Sequence, residues 1–171
     1  MNAGIRSAAS FLSALAAATL FWQSRTHPKY LVVAALLLLT HLWVSQRGAV
    51  LQDLANRLAD VLVIGGIAES GWCNTILAYW AAIAALLVAY VGLSGQAAGV
   101  QREYSGVMSK PWRMVLLSIG AVATCILVHR GEPFYWGGWS AIDWMHWLIL
   151  AGSGQTIVVR LSRIFGALDA K

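Results

Sequence analysis

The stretch RGAVLQDLANRLADVLVIGGI, residues 47–67, opens with polar residues and closes as an unbroken apolar run. At 3.6 residues per turn, Gln52, Asn56 and Asp60 stack on one helical face, with Asp53 and Arg57 beside them. A polar stripe therefore continues two turns into an otherwise hydrophobic helix. Groups of this kind are costly to present to lipid, so the stripe points to a bundle interior or a watery cavity and marks a candidate site. The plainer alternative is a helix end that protrudes into the cytoplasm, with Asp53 and Arg57 forming a solvated i, i+4 pair.

The rest of the chain sets that helix in a membrane. Of 171 residues, 59% are hydrophobic and 11% charged, whereas soluble domains carry about a quarter charged residues. A bilayer span takes about 20 apolar residues. The chain thus reads as an all-α integral membrane protein, a single domain over 1–171 with about six transmembrane helices near 8–24, 29–45, 49–67, 73–94, 112–128 and 141–159. Trp22, Trp43, Trp72, Trp112, Trp136 and Trp139 fall at segment ends, as in an interfacial aromatic belt. The first segment is expected to stay in place as a helix, because no small-x-small cleavage pattern precedes Phe21-Trp22-Gln23.

The 12 basic residues against 7 acidic ones would suggest nucleic acid in a soluble protein. Here they sit singly at loop ends and orient helices instead. With six spans, Arg6, Arg47, Arg57, Arg102, Lys110, Arg113, Arg160, Arg163 and Lys171 share the side of the termini, and Arg25, Lys29 and Arg130 lie opposite. The positive-inside rule places both termini in the cytoplasm, in a bacterial inner membrane. Cys73 and Cys125, 52 positions apart and in no CxxC or Cys/His spacing, read as packing residues.

Against this background, Gly48-x-x-x-Gln52-x-x-x-Asn56 resembles the second half of the signature of the CDP-alcohol phosphatidyltransferases, D-x-x-D-G-x-x-A-R, eight residues, then G-x-x-x-D-x-x-x-D. Tyr90-Val91 through Gly99, the entry VMSKPWRMVLL at 107–117 and Gln155-Thr156 through Arg160 are similar to later stretches of that family, in order, over roughly residues 29 to 165. The resemblance implies a six-helix bundle, often a homodimer, with a polar cavity open to the cytoplasm. In active members, two divalent cations, Mg²⁺ or Mn²⁺, are held by four Asp carboxylates. They bind the pyrophosphate of a CDP-alcohol while the last Asp helps deprotonate the acceptor hydroxyl, and CMP leaves. Hard cations require anionic oxygens, and the metals offset charge building on the transferring phosphoryl group.

The sequence departs from the pattern where that chemistry is most demanding. Counting back from Gly48 puts the signature's D-G at Ala34-Ala35 and its A-R at Leu38-Leu39, and residues 1–52 contain no Asp or Glu in any register. Gln52 and Asn56 replace the second carboxylate pair, and Gly92, Ser94 and Gln96 stand where the family has Arg, Arg and Glu. Amides bring no charge and no base near neutral pH. Asp53 and Asp60 are the remaining candidates for catalysis or for a weakly held cation, and no bound metal is expected. Their plainer roles are local pairs, Asp53 with Arg57 and Asp60 with Asn56 or a basic neighbour.

By the same resemblance Gly48, Gln52, Asn56, Lys110 and Arg113 are the candidate substrate-binding residues. Lys110 and Arg113 flank Pro111 at a helix start, where cations beside an N-terminus attract a phosphate-bearing head group, although positive-inside anchoring accounts for them as well. Arg102 and Glu103 read as solvated loop residues, and His41 as a bonded packing residue. The segment from His129 through Glu132 and Trp136 to Asp143, Trp144 and His146 lacks a metal-ligand spacing and reads as an interfacial aromatic patch. The expected function is that of a phosphatidyltransferase-like protein of phospholipid synthesis with impaired or altered catalysis. Its expected partners are membrane lipids, a CDP-alcohol or phosphate-bearing head group, and a second copy or an active relative. The alternative is a small membrane scaffold or transport accessory without that ancestry.

The charge distribution makes the topology testable. In a chain otherwise free of cysteine, a cysteine placed at Glu132 should react with an impermeant reagent added outside the cell, and one placed at Ser105 should not. The reverse labelling would overturn the orientation.

Overall fold

The computed structural model describes residues 3–44, 50–101, 105–132 and 135–169, with side chains described from residue 8 in the first helix, to residue 43 in the second and from residue 54 in the third. The elements are α1 (Ala3–Gln23), α2 (Tyr30–Val44), α3 (Val50–Ala68), α4 (Thr75–Ala97), α5 (Lys110–Arg130), the two-residue strands β1 (Tyr135–Trp136) and β2 (Trp139–Ser140), and α6 (Ala141–Asp169). Consecutive helices run in opposite directions, so the bundle has one end carrying the chain termini and one far end. α1 packs on α2 and α3, α2 on α5, α3 on α4, and α6 on α4 and α5.

A common core runs through these contacts. Ala14, Ala17 and Phe21 of α1 meet Leu31, Ala34 and Leu38 of α2, Val63, Ile64 and Ile67 of α3, Met114 and Leu117 of α5 and Ile149 of α6, all essentially inaccessible. Outward, the bundle exposes large apolar side chains such as Leu36, Leu39, Trp80, Ile83, Ile119, Ile126 and Val158. An apolar core beneath an apolar exterior suits a lipid solvent. α4, α5 and α6 are long and apolar enough to cross a membrane, and Ala8–Gln23 and Tyr30–Trp43 are shorter apolar helices.

Some boundaries differ from those read in sequence. α1 begins at Ala3 rather than near 8, and α6 continues to Asp169 rather than stopping near 159. The second difference has a clear cause. Arg160, which reads as a terminating charge, turns inward and is 7% exposed. Its Nη1 donates to the Val88 carbonyl at 2.7 Å and its Nε to the Ser105 carbonyl at 2.9 Å. One turn on, Ile164 packs where a Cβ at Gly95 of α4 would stand. At the far end, Gly137 (φ +60°) and Gly138 (φ +84°) form the turn between β1 and β2, the left-handed geometry that favours glycine in a two-residue hairpin.

The Gly65-Gly66 pair is asymmetric. A Cβ at Gly66 would lie 2.4 Å from the Ala18 carbonyl oxygen and 2.8 Å from its Cα, whereas one at Gly65 meets nothing within 4 Å. The missing side chain at Gly66 thus lets the α1 and α3 backbones touch. Gly66→Ala should lower the thermal midpoint of the detergent-solubilised protein, at a cost of about 1–3 kcal/mol. Gly65→Ala should be neutral or slightly stabilising. Equal midpoints for the two variants would refute the close approach.

Candidate functional site

The polar stripe of α3 faces the bundle at the end that carries the termini. Asp60 is 3% exposed and meets Arg113 of α5, whose Nη2 lies 2.7 Å from Oδ2, while Lys110 Nζ stands 3.7 Å from Oδ1. Arg113 is 1% exposed, and its Nη1 donates to the Met108 carbonyl at 3.2 Å. Lys110 Nζ also donates to Asn56 Oδ1 at 3.0 Å. Its side chain keeps 16% of its surface exposed, against 2% for Arg113. Lys110 is therefore the cation of this pair with access to solvent, and Arg57 lies within electrostatic reach of it.

The same oxygen of Asn56 links the stripe to the first two helices. Ser10 Oγ of α1 donates to it at 3.5 Å. His41 of α2, fully buried, lies against Ser10 and Ser13, with Nδ1 2.8 Å from the Ser10 carbonyl. A carbonyl can only accept, so Nδ1 carries a proton. Lys110, Asn56, Ser10 and His41 thus connect α5, α3, α1 and α2 in turn.

The approach to α5 is held by α6. Gly106 (φ +111°) lies where any Cβ would strike Thr156, the Met108 amide donates to Thr156 Oγ1 at 3.0 Å, and Arg160 holds the Ser105 carbonyl. These bonds fix the 105–109 strap, which begins α5 with Lys110 and Pro111 in its first turn, where proline costs no helical hydrogen bond. Lys110 and Arg113 are aimed by this strap.

Of the residues singled out in sequence, Asn56, Asp60, Lys110 and Arg113 come together. Gly48, Arg102 and Glu103 lie outside the described residues, as do the side chains of Gln52 and Asp53. The described polar atoms centre on Asn56 and Asp60, one turn further along α3 than the Gln52 and Asn56 pair marked by the signature spacing. His41 is the bonded packing residue expected, whereas nothing in the sequence singles out the contacts of Ser10, Thr156 and Arg160, since a lone hydroxyl or guanidinium in an apolar run gives no hint of which helix it will face.

Two divalent cations do not fit these residues. Asp60 is already neutralised by Arg113 and Lys110, and the Asn56 carbonyl oxygen accepts from Lys110 and Ser10. Ala34, Ala35 and Leu38, which occupy the signature's first ligand region, are buried apolar core. Among the described residues, no trio of His, Cys, Asp and Glu gathers at this end.

At the far end such a trio does gather. Cys73, Asp143 and His146 place one ligand atom each within 4.8 Å of the others. Asp143 is the acid of a reciprocal capping box: its Oδ2 accepts from the Ser140 amide at 2.9 Å, and the Asp143 amide donates to Ser140 Oγ at 3.0 Å. Its Oδ1 accepts from the amide of Asn74, the N-cap of α4, at 2.7 Å. Burial, with Asp143 and Glu69 adding to it, pushes the Cys73 thiol up to about 12. Cys73 packs against the core as read from the sequence, and its Sγ also lies near residues about 70 positions away. The surrounding rings form the expected aromatic patch, with Trp136 against Trp144 and Trp139 edge-on to Trp147.

Removing one member of a buried ion pair leaves an uncompensated charge and costs about 3–5 kcal/mol. Asp60→Ala and Arg113→Met should each cause such a loss in unfolding measured in detergent, and Lys110→Met, from a longer and partly exposed pair, a smaller one. The double variant Asp60→Leu/Arg113→Met should recover much of the loss. Additive losses would show that the two residues are not coupled.

No protein-family model matches the sequence, and no curated protein does. Among solved structures, the phosphatidylinositol phosphate synthase of Mycobacterium tuberculosis in complex with manganese and citrate is similar, with a TM-score of 0.72 and 17% identity over 96% of this chain and 83% of that one. The same enzyme with CDP-DAG bound gives a TM-score of 0.67 and 16% identity over 94% of this chain and 86% of that one. General hydropathy does not produce agreement of six helices in order over nearly the whole chain. The bundle therefore has the fold of the CDP-alcohol phosphatidyltransferases.

Proposed function

We propose that this protein is a phosphatidyltransferase-like member of the phospholipid-synthesis machinery that no longer carries out metal-dependent phosphatidyl transfer. It sits in the bacterial inner membrane with both termini in the cytoplasm. There it binds the phosphate of a lipid head group or CDP-alcohol at Lys110, with Asn56 and Arg57 beside it, and associates with a second copy or an active relative. The observation that carries this reading is the pairing of Asp60 with Arg113 at 2.7 Å. In a two-metal site the carboxylates must face cations that are free to bind phosphate, whereas here a guanidinium takes that place and cannot leave without exposing a buried charge.

The electrostatics favour an anion over a metal. Arg57, Lys110 and Arg113 bring three positive charges to this cluster against the carboxylate of Asp60. Lys110, with its remaining exposure, can meet a phosphate without giving up Arg113. The missing base points the same way, because loss of general-base help alone costs about 10²–10⁴-fold in rate.

The test is CMP release from CDP-diacylglycerol by the purified protein, with glycerol phosphate, inositol phosphate or serine as acceptor and with abundant Mg²⁺ or Mn²⁺. Release should not exceed that of an empty-membrane control. Metal-dependent release that disappears in Asp60→Ala would sink the proposal and assign a rearranged active site to Asp60.

A further inference from the structure

We infer that Cys73, Asp143 and His146 form a binding site for a single divalent transition-metal ion of the zinc type at the far end of the bundle, distinct from the polar cluster around Asp60. Three observations carry it. The donor set is thiol, carboxylate and imidazole, the mixed S, O and N set that a borderline cation such as Zn²⁺ accepts. The ligand atoms lie within 4.8 Å of one another. Bonds of about 2.0–2.3 Å to a tetrahedral ion put ligand atoms roughly 3.3–3.8 Å apart, so small side-chain rotations complete the geometry.

The third observation is His146 itself. It is fully buried, and neither of its ring nitrogens has a hydrogen-bond partner. The Ile142 carbonyl one turn back in α6 influences the ring but does not meet hydrogen-bonding geometry, and it could serve only one of the two nitrogens. A buried imidazole without partners forfeits hydrogen bonding it would have in water. A metal ion at the centre of the trio would engage one of the two nitrogens and remove that part of the deficit.

The scaffold is already rigid. Asp143 and His146 stand three residues apart on one face of the first turns of α6, and Cys73 immediately precedes the N-cap of α4. The bond from the Asn74 amide to Asp143 Oδ1 locks the two segments together, and the capping box fixes the carboxylate plane. Each carboxylate oxygen accepts one amide and retains a lone pair for a cation. These contacts orient the ligand in the way outer-shell bonds orient metal-bound carboxylates.

On binding, the Cys73 thiol releases its proton to solvent and gives up its 3.4 Å contact with the Ile67 carbonyl. The carboxylate and the neutral imidazole bind without a proton change. Cys73 is only half-buried, whereas Asp143 and His146 are 1% and 0% exposed, so Cys73 is the member of the trio nearest the surface.

The experiment uses the full chain purified in detergent, stripped with chelator and titrated with Co²⁺ and then Zn²⁺. One Co²⁺ per chain should bind with a near-ultraviolet thiolate-to-cobalt absorption band, which Zn²⁺ then displaces. Cys73→Ser should abolish the band, and His146→Gln should weaken binding by at least about tenfold. Cys125→Ser and His129→Gln should leave both intact. His146→Gln keeps the test decisive where Cys73→Ser does not fold, and the wild-type spectrum decides independently of any variant. Absence of a thiolate band in the wild-type protein overturns the site, as does a band that survives Cys73→Ser or binding unchanged in His146→Gln.

Discussion

A carboxylate inside an apolar bundle has to be neutralised, and the terminal end of this protein is arranged around that requirement. Burying a charge at the centre of a bilayer costs at least about 2.5 kcal/mol on insertion scales. The guanidinium of Arg113 bridges two acceptors, Nη2 donating to Asp60 Oδ2 and Nη1 to the Met108 carbonyl. That geometry requires α5 to begin at a fixed height against α3. The height is set by the 105–109 strap, and the strap is held down by Thr156 and Arg160 of α6. One buried charge thereby ties α3, α5 and α6 into a single arrangement, and Asn56, through Lys110 and Ser10, adds α1 and the His41 of α2.

The fold was legible because membrane helices declare themselves by length and apolarity, and the α3 stripe because charges stand out against that background. Helical periodicity puts Gln52, Asn56 and Asp60 on one interior face with Lys110 or Arg113; of these, Asn56, Asp60, Lys110 and Arg113 are described together, and the Gln52 side chain lies outside the described residues. The sequence marks His41 only as a bonded packing residue and offers no sign of the contacts of Ser10, Thr156 or Arg160. In a soluble helix the apolar face names the side that packs, but in lipid both faces are apolar and the periodic signal fades. The expected end of α6 failed for a related reason: Arg160 was counted as a charge leaving the membrane, while backbone carbonyls of Val88 and Ser105 took it in. Cys73 and His146 were invisible as neighbours because contacts across the bundle leave no local spacing.

The bundle shares its fold with an enzyme solved with manganese and with CDP-DAG, and its own described cluster pairs one carboxylate with internal cations. A site built on metals is electrically incomplete until they arrive. The Asp60 carboxylate is already paired with Arg113 and Lys110 as folded.

The long sequence separation of Asp60 and Arg113, 53 residues, also bears on biogenesis. At about 5–20 residues per second, α3 leaves the ribosome roughly 3–10 s before its counter-ion is made. Through that interval a lone carboxylate would stand in the hydrocarbon if α3 had already partitioned into lipid. The physics therefore favours holding α3 in a wet or protein-lined environment, the insertion machinery or the membrane surface, until α5 emerges. The third, fourth and fifth helices would then enter the bilayer together, as one neutral unit rather than as successive independent spans.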